Sequence, residues 1–287
     1  MLVRHGRPVT VTSSQVQPGL VSRAIEVAGQ LANDAAEVIA ATAGRGARPC
    51  AKDSPFDWVT DTDRTLERHT RRVLDAEFPE VPVVGEEFGA DDGADGAPLR
   101  WVVDPVDGTA NYVAGLPWCA YSLALVDAGG PVVGVVADPY RGQLYAAARD
   151  RGIRANGRPV PRLGADSRGV AGTLVCTELT RNGPWPGMDR FAEQAAAAHA
   201  GIRILGSAAL AITQVALGHA TATVLDSYQE WDVAGGLALA AEAGAVVLDR
   251  RGHPHPMPAD GLLVATPGVA AEVFGWWQPA ARPIRVL

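Results

Sequence analysis

An alternation that begins at Gly172 restricts the fold more than any other feature of the chain. Short β-prone runs (Thr173–Thr177, Ile202–Leu205, Thr221–Leu225, Ala245–Leu248) are separated by helical runs (Met188–Ala200, Ala208–Leu217, Asp232–Ala243). Strands joined through helices build α/β layers, because each helix must bury its apolar face on a sheet. Upstream the texture differs. Val81–Glu86, Leu99–Asp104, Cys119–Asp127, Pro131–Ala137 and Gln143–Arg149 are β-prone runs divided by Gly, Pro or Asp, which reads as successive strands. Two helices precede them. Pro18–Thr42 carries Val21, Ala24, Ile25, Ala28, Leu31, Ala35, Val38 and Ile39 at helical spacing and ends before Gly44, a long amphipathic helix. The second, Asp61–Phe78, opens on Thr60-Asp61-Thr62-Asp63, which can cap free backbone N–H groups, and closes at Pro79. The fold class is α/β, with an α+β N-terminal half (16–155) and an α/β C-terminal half (156–287). A flexible extension over 1–15 precedes them. Asp91–Pro98 and Arg181–Met188 read as mobile surface loops.

The 287 residues suffice for a substantial core, and 47% hydrophobic against 20% charged residues is a globular balance. No run approaches the roughly 20 apolar residues of a membrane span, and the first residues lack a secretory leader's apolar core; the expected location is the cytoplasm, with no membrane partner. A net charge of −7 argues against a nucleic-acid partner, which needs clustered Lys and Arg. A small phosphorylated metabolite can still bind through a metal. Cys50, Cys119 and Cys176 are odd in number and far apart, so they read as core or loop thiols.

Arg4-His5-Gly6 looks like the start of a phosphohistidine-forming phosphatase. That chemistry needs a preceding strand and a second histidine in a matching context. Only three residues come first, and the later histidines precede Thr70, Ala200, Ala220, Pro254 and Pro256. His253 and His255 sit in a proline-rich surface turn.

The chemistry lies elsewhere. In Trp101-Val-Val-Asp-Pro-Val-Asp-Gly-Thr-Ala-Asn-Tyr112 an apolar strand delivers Asp104, and Pro105 and Gly108 turn the chain, leaving two carboxylates, a hydroxyl and carbonyls on one loop. Such oxygens suit Mg²⁺; an Asx-type turn would also account for the Asp and Gly. Three further acidic segments stand at element ends: Gly85-Glu86-Glu87, Trp231-Asp232 and Asp57 to Asp63. Each alone reads as a cap or a solvated turn.

Together, Asp57-Trp-Val-Thr-Asp-Thr-Asp63, Gly85-Glu-Glu87, Asp104-Pro-Val-Asp-Gly-Thr-Ala-Asn111 and Trp231-Asp-Val-Ala-Gly-Gly…Glu242-Ala-Gly244 resemble the inositol monophosphatase family in order and spacing. The resemblance implies a layered α-β-α-β-α sandwich of the sugar-phosphatase type, a homodimer, and Mg²⁺-dependent, often Li⁺-sensitive hydrolysis of phosphate monoesters. It implies about two or three Mg²⁺ ions per site, with Mn²⁺ as a substitute. Glu86, Asp104 and the Val106 carbonyl would hold the first metal, and Asp104, Asp107 and Asp232 the second. Asp63 and Thr109 would pair near the attacking water, which Glu86 and Thr109 would orient. Lys52 would stand at the edge of the metal site, with Glu87 assisting. Substrate would meet Asp107, Gly108, Thr109, Ser207, Ala208 and Asp232, with the Gly108 and Thr109 N–H groups on a phosphate oxygen.

Asn111-Tyr112 resembles the sugar- and inositol-phosphate branch. One departure stands against it. Inositol-hydrolysing members place a glutamate seven positions before the Asp232 equivalent; here that position is Leu225, and Asp226 or Glu230 is left to replace it. Histidinol phosphate, fructose bisphosphate and nucleotide phosphates stay open as substrates, and so does a catalytically silent binding or regulatory protein with this fold.

Overall fold

The computed structural model describes residues 17–45, 50–51, 58–164, 169–180 and 182–278. The 1–15 extension, Lys52 and Asp57 lie outside them. The described helices are α1 (Pro18–Thr42), α2 (Asp61–Glu77), α3 (Thr109–Ala114), α4 (Met188–Ala197), α5 (Ala208–Ala216), α6 (Glu230–Ala243) and α7 (Ala270–Trp277). The strands are β1 (Cys50–Ala51), β2 (Trp58–Val59), β3 (Val83–Gly85), β4 (Gly89–Ala90), β5 (Leu99–Asp107), β6 (Ala120–Asp127), β7 (Gly130–Asp138), β8 (Gln143–Ala148), β9 (Ile153–Ala155), β10 (Arg158–Val160), β11 (Leu174–Thr177), β12 (Gly201–Arg203), β13 (Ala222–Leu225), β14 (Val246–Asp249) and β15 (Leu262–Ala265).

Beside the short β1–β2 ribbon, an eight-stranded sheet runs β10-β9-β8-β7-β6-β5-β3-β4, and a five-stranded sheet runs β12-β11-β13-β15-β14. The first is antiparallel except between β3 and β5; in the second, β11 pairs in parallel with both β12 and β13. Five layers result. The apolar stripe of α1, with Leu66 and Leu74 of α2, buries against Trp101, Leu123, Val133 and Val135 on one face of the large sheet. Helices α5 and α6 fill the middle: Ala209, Leu210 and Leu239 meet the other face, while Ile212, Val233 and Leu237 meet the small sheet. Phe191 of α4 and Val273, Trp276 and Trp277 of α7 cover its outer face. This is the expected α-β-α-β-α sandwich.

The middle layer is close because α6 carries Gly235-Gly236. A Cβ on Gly235 would lie 2.4 Å from Ser122 Oγ and 2.9 Å from the Val135 carbonyl, and one on Gly236 would lie 2.9 Å from Ile212 Cβ. The helix therefore lies directly on β6 and β7 on one side and on α5 on the other. Its first turn, holding Asp232, is fixed toward the large sheet.

One local expectation is corrected. The chain does not turn at Pro105; β5 continues to Asp107, with its pairing to β6 irregular between Asp104 and Asp107. Proline has no N–H to give a ladder and is tolerated where pairing is interrupted. The reversal comes one residue later, at Gly108 with φ 92°.

Candidate active site

Strand β5 positions both acids of the central segment. Asp104 is 2% exposed and accepts the Val106 N–H at 3.0 Å; Asp107 is 7% exposed. Asp107 faces the start of α5, accepting Ser207 Oγ at 2.5 Å, Ala209 N at 2.8 Å and Ala208 N at 3.3 Å. Ser207 in turn caps α5 by accepting Leu210 N at 3.3 Å. One aspartate thus ties the large sheet to a middle-layer helix, and Asp107, Ser207 and Ala208, each expected from the sequence to meet substrate, lie side by side.

Helix α2 brings Asp63. Thr60 and Asp63 form a reciprocal capping box, with the Thr60 N–H on Asp63 Oδ2 at 2.9 Å and the Thr60 hydroxyl on the same oxygen. The other oxygen, Oδ1, lies 3.2 Å from Thr109 Oγ1, which is also 3.0 Å from the Val106 carbonyl. The threonine is held between α2 and the end of β5. Asp63 is fully buried, and burial pushes its carboxyl up to about 6 against its bonds to Thr60. Asp232 stands in the first turn of α6, where it accepts Gln229 N at 2.7 Å in a second capping box. Glu86 follows β3, its N–H on the Val103 carbonyl at 3.3 Å.

The acids share one field. Burial first, then the charges of Glu86, Asp107, Asp232 and Asp63 in that order, drive the Asp104 carboxyl well above the carboxylate range. Burial likewise raises Asp107 to about 7, although Ser207 and the α5 amides oppose it. Among the described residues no three His, Cys, Asp or Glu side chains are gathered into a ready-made metal cage; Asp63 and Asp232 are engaged in capping boxes and Asp107 by the start of α5. The donor set nevertheless fits a hard divalent cation: the buried carboxylates of Asp104 and Asp107 and the half-buried ones of Glu86 and Asp232, which raise the cost of charge on Asp104, with the Val106 carbonyl beside them.

Behind these groups stand two close backbone approaches. A Cβ on Gly108 would lie 2.7 Å from the Gly206 carbonyl and 3.1 Å from the Trp118 carbonyl. Asn111 Nδ2 donates to Leu205 O at 2.6 Å and to Trp118 O at 2.8 Å. Tyr112 is fully buried, and its hydroxyl lies 2.8 Å from those of Thr42 and Thr62. Asn111 and Tyr112 therefore brace the backbone behind the site. Glu178, missing from the sequence-based site, accepts Gly206 N at 2.7 Å and Leu205 N at 3.4 Å. Burial pushes its carboxyl up to about 7. Nothing in the sequence around Glu178 signals this role, because its partners are 27 and 28 residues away.

The two acids left to replace the missing glutamate are both engaged. Asp226 is paired with Arg250 at 2.6 Å, which also reaches Asp260 at 3.0 Å. Glu230 is paired with Arg100 at 2.7 Å. Leu225 is 2% exposed and belongs to the core between the middle layer and the small sheet.

A model of the inositol monophosphatase family matches residues 20–276. The chain is 34% identical over 233 residues to the Nus factor SuhB of Pasteurella multocida, covering 79% of this chain and 84% of that protein. With the inositol-1-monophosphatase ImpA of Mycolicibacterium smegmatis it shares 32% over 246 residues, 84% of this chain and 87% of that one. Among solved structures it is similar to the extragenic suppressor protein suhB of Bartonella henselae (TM-score 0.81, 26% identity, 88% of this chain and 98% of that one). A Thermotoga maritima IMPase superposes with TM-score 0.79 at 27% identity, over 88% of this chain and 96% of that one. The layered sandwich, the ordered acidic segments and these matches coincide over the same residues, and the chain belongs to the inositol monophosphatase family of phosphoric monoester hydrolases.

Proposed function

We propose that this chain hydrolyses a small-molecule phosphate monoester, of a polyol, sugar or related alcohol, in a reaction that depends on Mg²⁺. The observation that carries this reading is Asp104: a 2% exposed carboxylate whose charge is opposed by four neighbouring acids, beside the Asp63–Thr109–Val106 contacts. Glu86, Asp104 and the Val106 carbonyl would hold one cation, and Asp104, Asp107 and Asp232 another. When bound, divalent cations supply positive charge to the phosphate dianion and acidify a water. The chain's own groups do the rest. Asp63 fixes the Thr109 hydroxyl, Thr109 and Glu86 orient the water, and the Gly108 and Thr109 N–H groups meet a phosphate oxygen. Ser207 and Ala208 hold Asp107 in place and border the alcohol.

With Leu225 in the core and Asp226 and Glu230 paired to arginines, no carboxylate at this position selects for ring hydroxyls. A site lacking such a partner discriminates weakly among alcohols. A Mg²⁺ titration of phosphate release from inositol, sugar, nucleotide and histidinol phosphates is expected to show metal-dependent turnover, with myo-inositol phosphate favoured by less than about tenfold. A second reading has its own support: several relatives are named Nus factor SuhB. No release from any monoester would favour that binding role. A cytoplasmic homodimer is proposed with the enzyme. Leu179 and Ile204, 51% and 46% exposed just past β11 and β12, offer it apolar contact, and light scattering at twice the chain mass is expected.

A further inference from the structure

Glu67 is a fully buried acidic residue outside the group of acids described above. It lies one turn beyond Asp63 on α2, so the two acids share a face of the helix. Its carboxylate points at the segment that carries Glu86. Oε2 accepts the Glu87 N–H at 2.7 Å, and Oε1 accepts the Phe88 N–H at 3.2 Å. Gly85, on the other side of Glu86, is pressed against the same group: a Cβ there would lie 2.2 Å from Glu67 Oε1. Arg71, on the next turn, bonds Oε1 through Nε at 2.9 Å and Nη2 at 2.8 Å. It also reaches Asp91 at 2.6 Å and the Gly89 carbonyl, while Asp91 accepts Val83 N at 2.9 Å. Every residue of Gly85-Glu-Glu-Phe88 except Glu86 itself is thus located by the Glu67 carboxylate.

We propose that Glu67, with Arg71 as its counter-charge, is a positioning residue that aims Glu86 into the metal site, and that Gly85 is glycine because the Glu67 carboxylate occupies the space of a side chain. This inference rests on the reading of Glu86 as a metal ligand. The physical reason for a carboxylate is donor count: four N–H groups converge on two oxygens, which only an acceptor on both atoms can satisfy. A glutamine must set its NH₂ against either the Glu87 N–H or the Arg71 guanidinium. The same helix then serves both sides of the reaction, with Asp63 on Thr109 and Glu67 on the Glu86 segment.

The test uses Mn²⁺ as the probe, titrated into the full chain by calorimetry or EPR, with phosphate release measured in parallel. Glu67→Gln is expected to weaken Mn²⁺ binding by about 10–100-fold, the usual cost of losing an outer partner of a metal ligand. The apparent KM for metal should rise with it, while kcat at saturating metal stays within about threefold of the unaltered chain. A merely structural role would lower the melting temperature and leave the metal affinity alone; a folded Glu67→Gln with unchanged Mn²⁺ affinity overturns the proposal. Gly85→Ala supplies an independent arm. It should weaken Mn²⁺ binding in the unaltered chain and do so less in a Glu67→Ala background, where the colliding carboxylate is gone; equal effects in both backgrounds also overturn it. Glu86→Gln separates the two levels. If that change leaves Mn²⁺ affinity intact, the metal-ligand reading fails; if it weakens binding while Glu67→Gln does not, only the positioning role fails.

Discussion

Thr109 shows how much can depend on one hydroxyl. It lies between Asp63 Oδ1 and the Val106 carbonyl, so valine, with the same shape, removes only the hydrogen bonds. Thr109→Val is expected to lower kcat by about 10²–10⁴-fold, the range of a lost acid–base or orienting group, with Mn²⁺ affinity within about threefold. The raised carboxyls also predict a pH dependence. Asp63 at about 6 and Asp107 at about 7 lie above their ordinary 3.8 because burial opposes charge. Folding therefore favours their protonated forms, a stabilisation complete below about pH 4 and lost as pH rises through 6 to 7. In EDTA the melting temperature should fall between pH 5 and about 7.5 and the slope should flatten with Mg²⁺; a rise over that range would contradict the assignment. Asp63, Asp104, Asp107 and Asp232 were legible as candidates because acids at element ends recur along the chain, and Thr109 because its segment resembles the family's. Glu67 and Glu178 were not. The backbone N–H groups that they accept lie 20 or more residues away, and neither acid carries a local mark of which distant amides it will cap.

Elements were readable where periodicity ran long enough. Helix α1 matches its expected span from Pro18 to Thr42, and the Thr60 cluster does cap α2. Helix α3, six residues long, is too short for a helical pattern to show. The extension of β5 through Pro105 was hidden because proline reads as a turn, while the irregular pairing that admits it is a tertiary fact. The glycines of α6 are the most exacting choice at this scale. Alanine is the better helix former by about 1 kcal/mol, but Gly235→Ala drives a methyl against Ser122 Oγ and the Val135 carbonyl. Overpacking of that kind costs about 1–3 kcal/mol. Urea denaturation should show net destabilisation, and metal affinity should fall because Asp232 rides on the same helix; a stabilised protein would mean that α6 does not lie so close.

Over the whole molecule, the alternating half supplied the α/β expectation, and the middle helices join the two sheets. Leu237 is fully buried and faces the small sheet, while Leu239 on the same helix faces the large one. Leu237→Ala is expected to cost about 2–5 kcal/mol, and native-state hydrogen exchange should lose protection in both sheets together. Loss confined to the small sheet would show that the layers unfold separately. The site depends on this union, since Asp107 belongs to the large sheet while Ser207 and Asp232 belong to the middle layer.

A phosphatase that works through divalent metal at Asp104 cannot tolerate Asp104→Asn. The amide keeps the shape and an acceptor for the Val106 N–H but removes the charge. Phosphate release under saturating Mg²⁺ should fall by more than about 100-fold, beyond the loss of an outer partner. The melting temperature in EDTA should rise by about 2–4 °C, the shift of one kcal/mol at this size, as a buried repulsion is relieved. Retained turnover, or a folded protein no more stable without metal than the unaltered chain, would mean that Asp104 holds no catalytic metal.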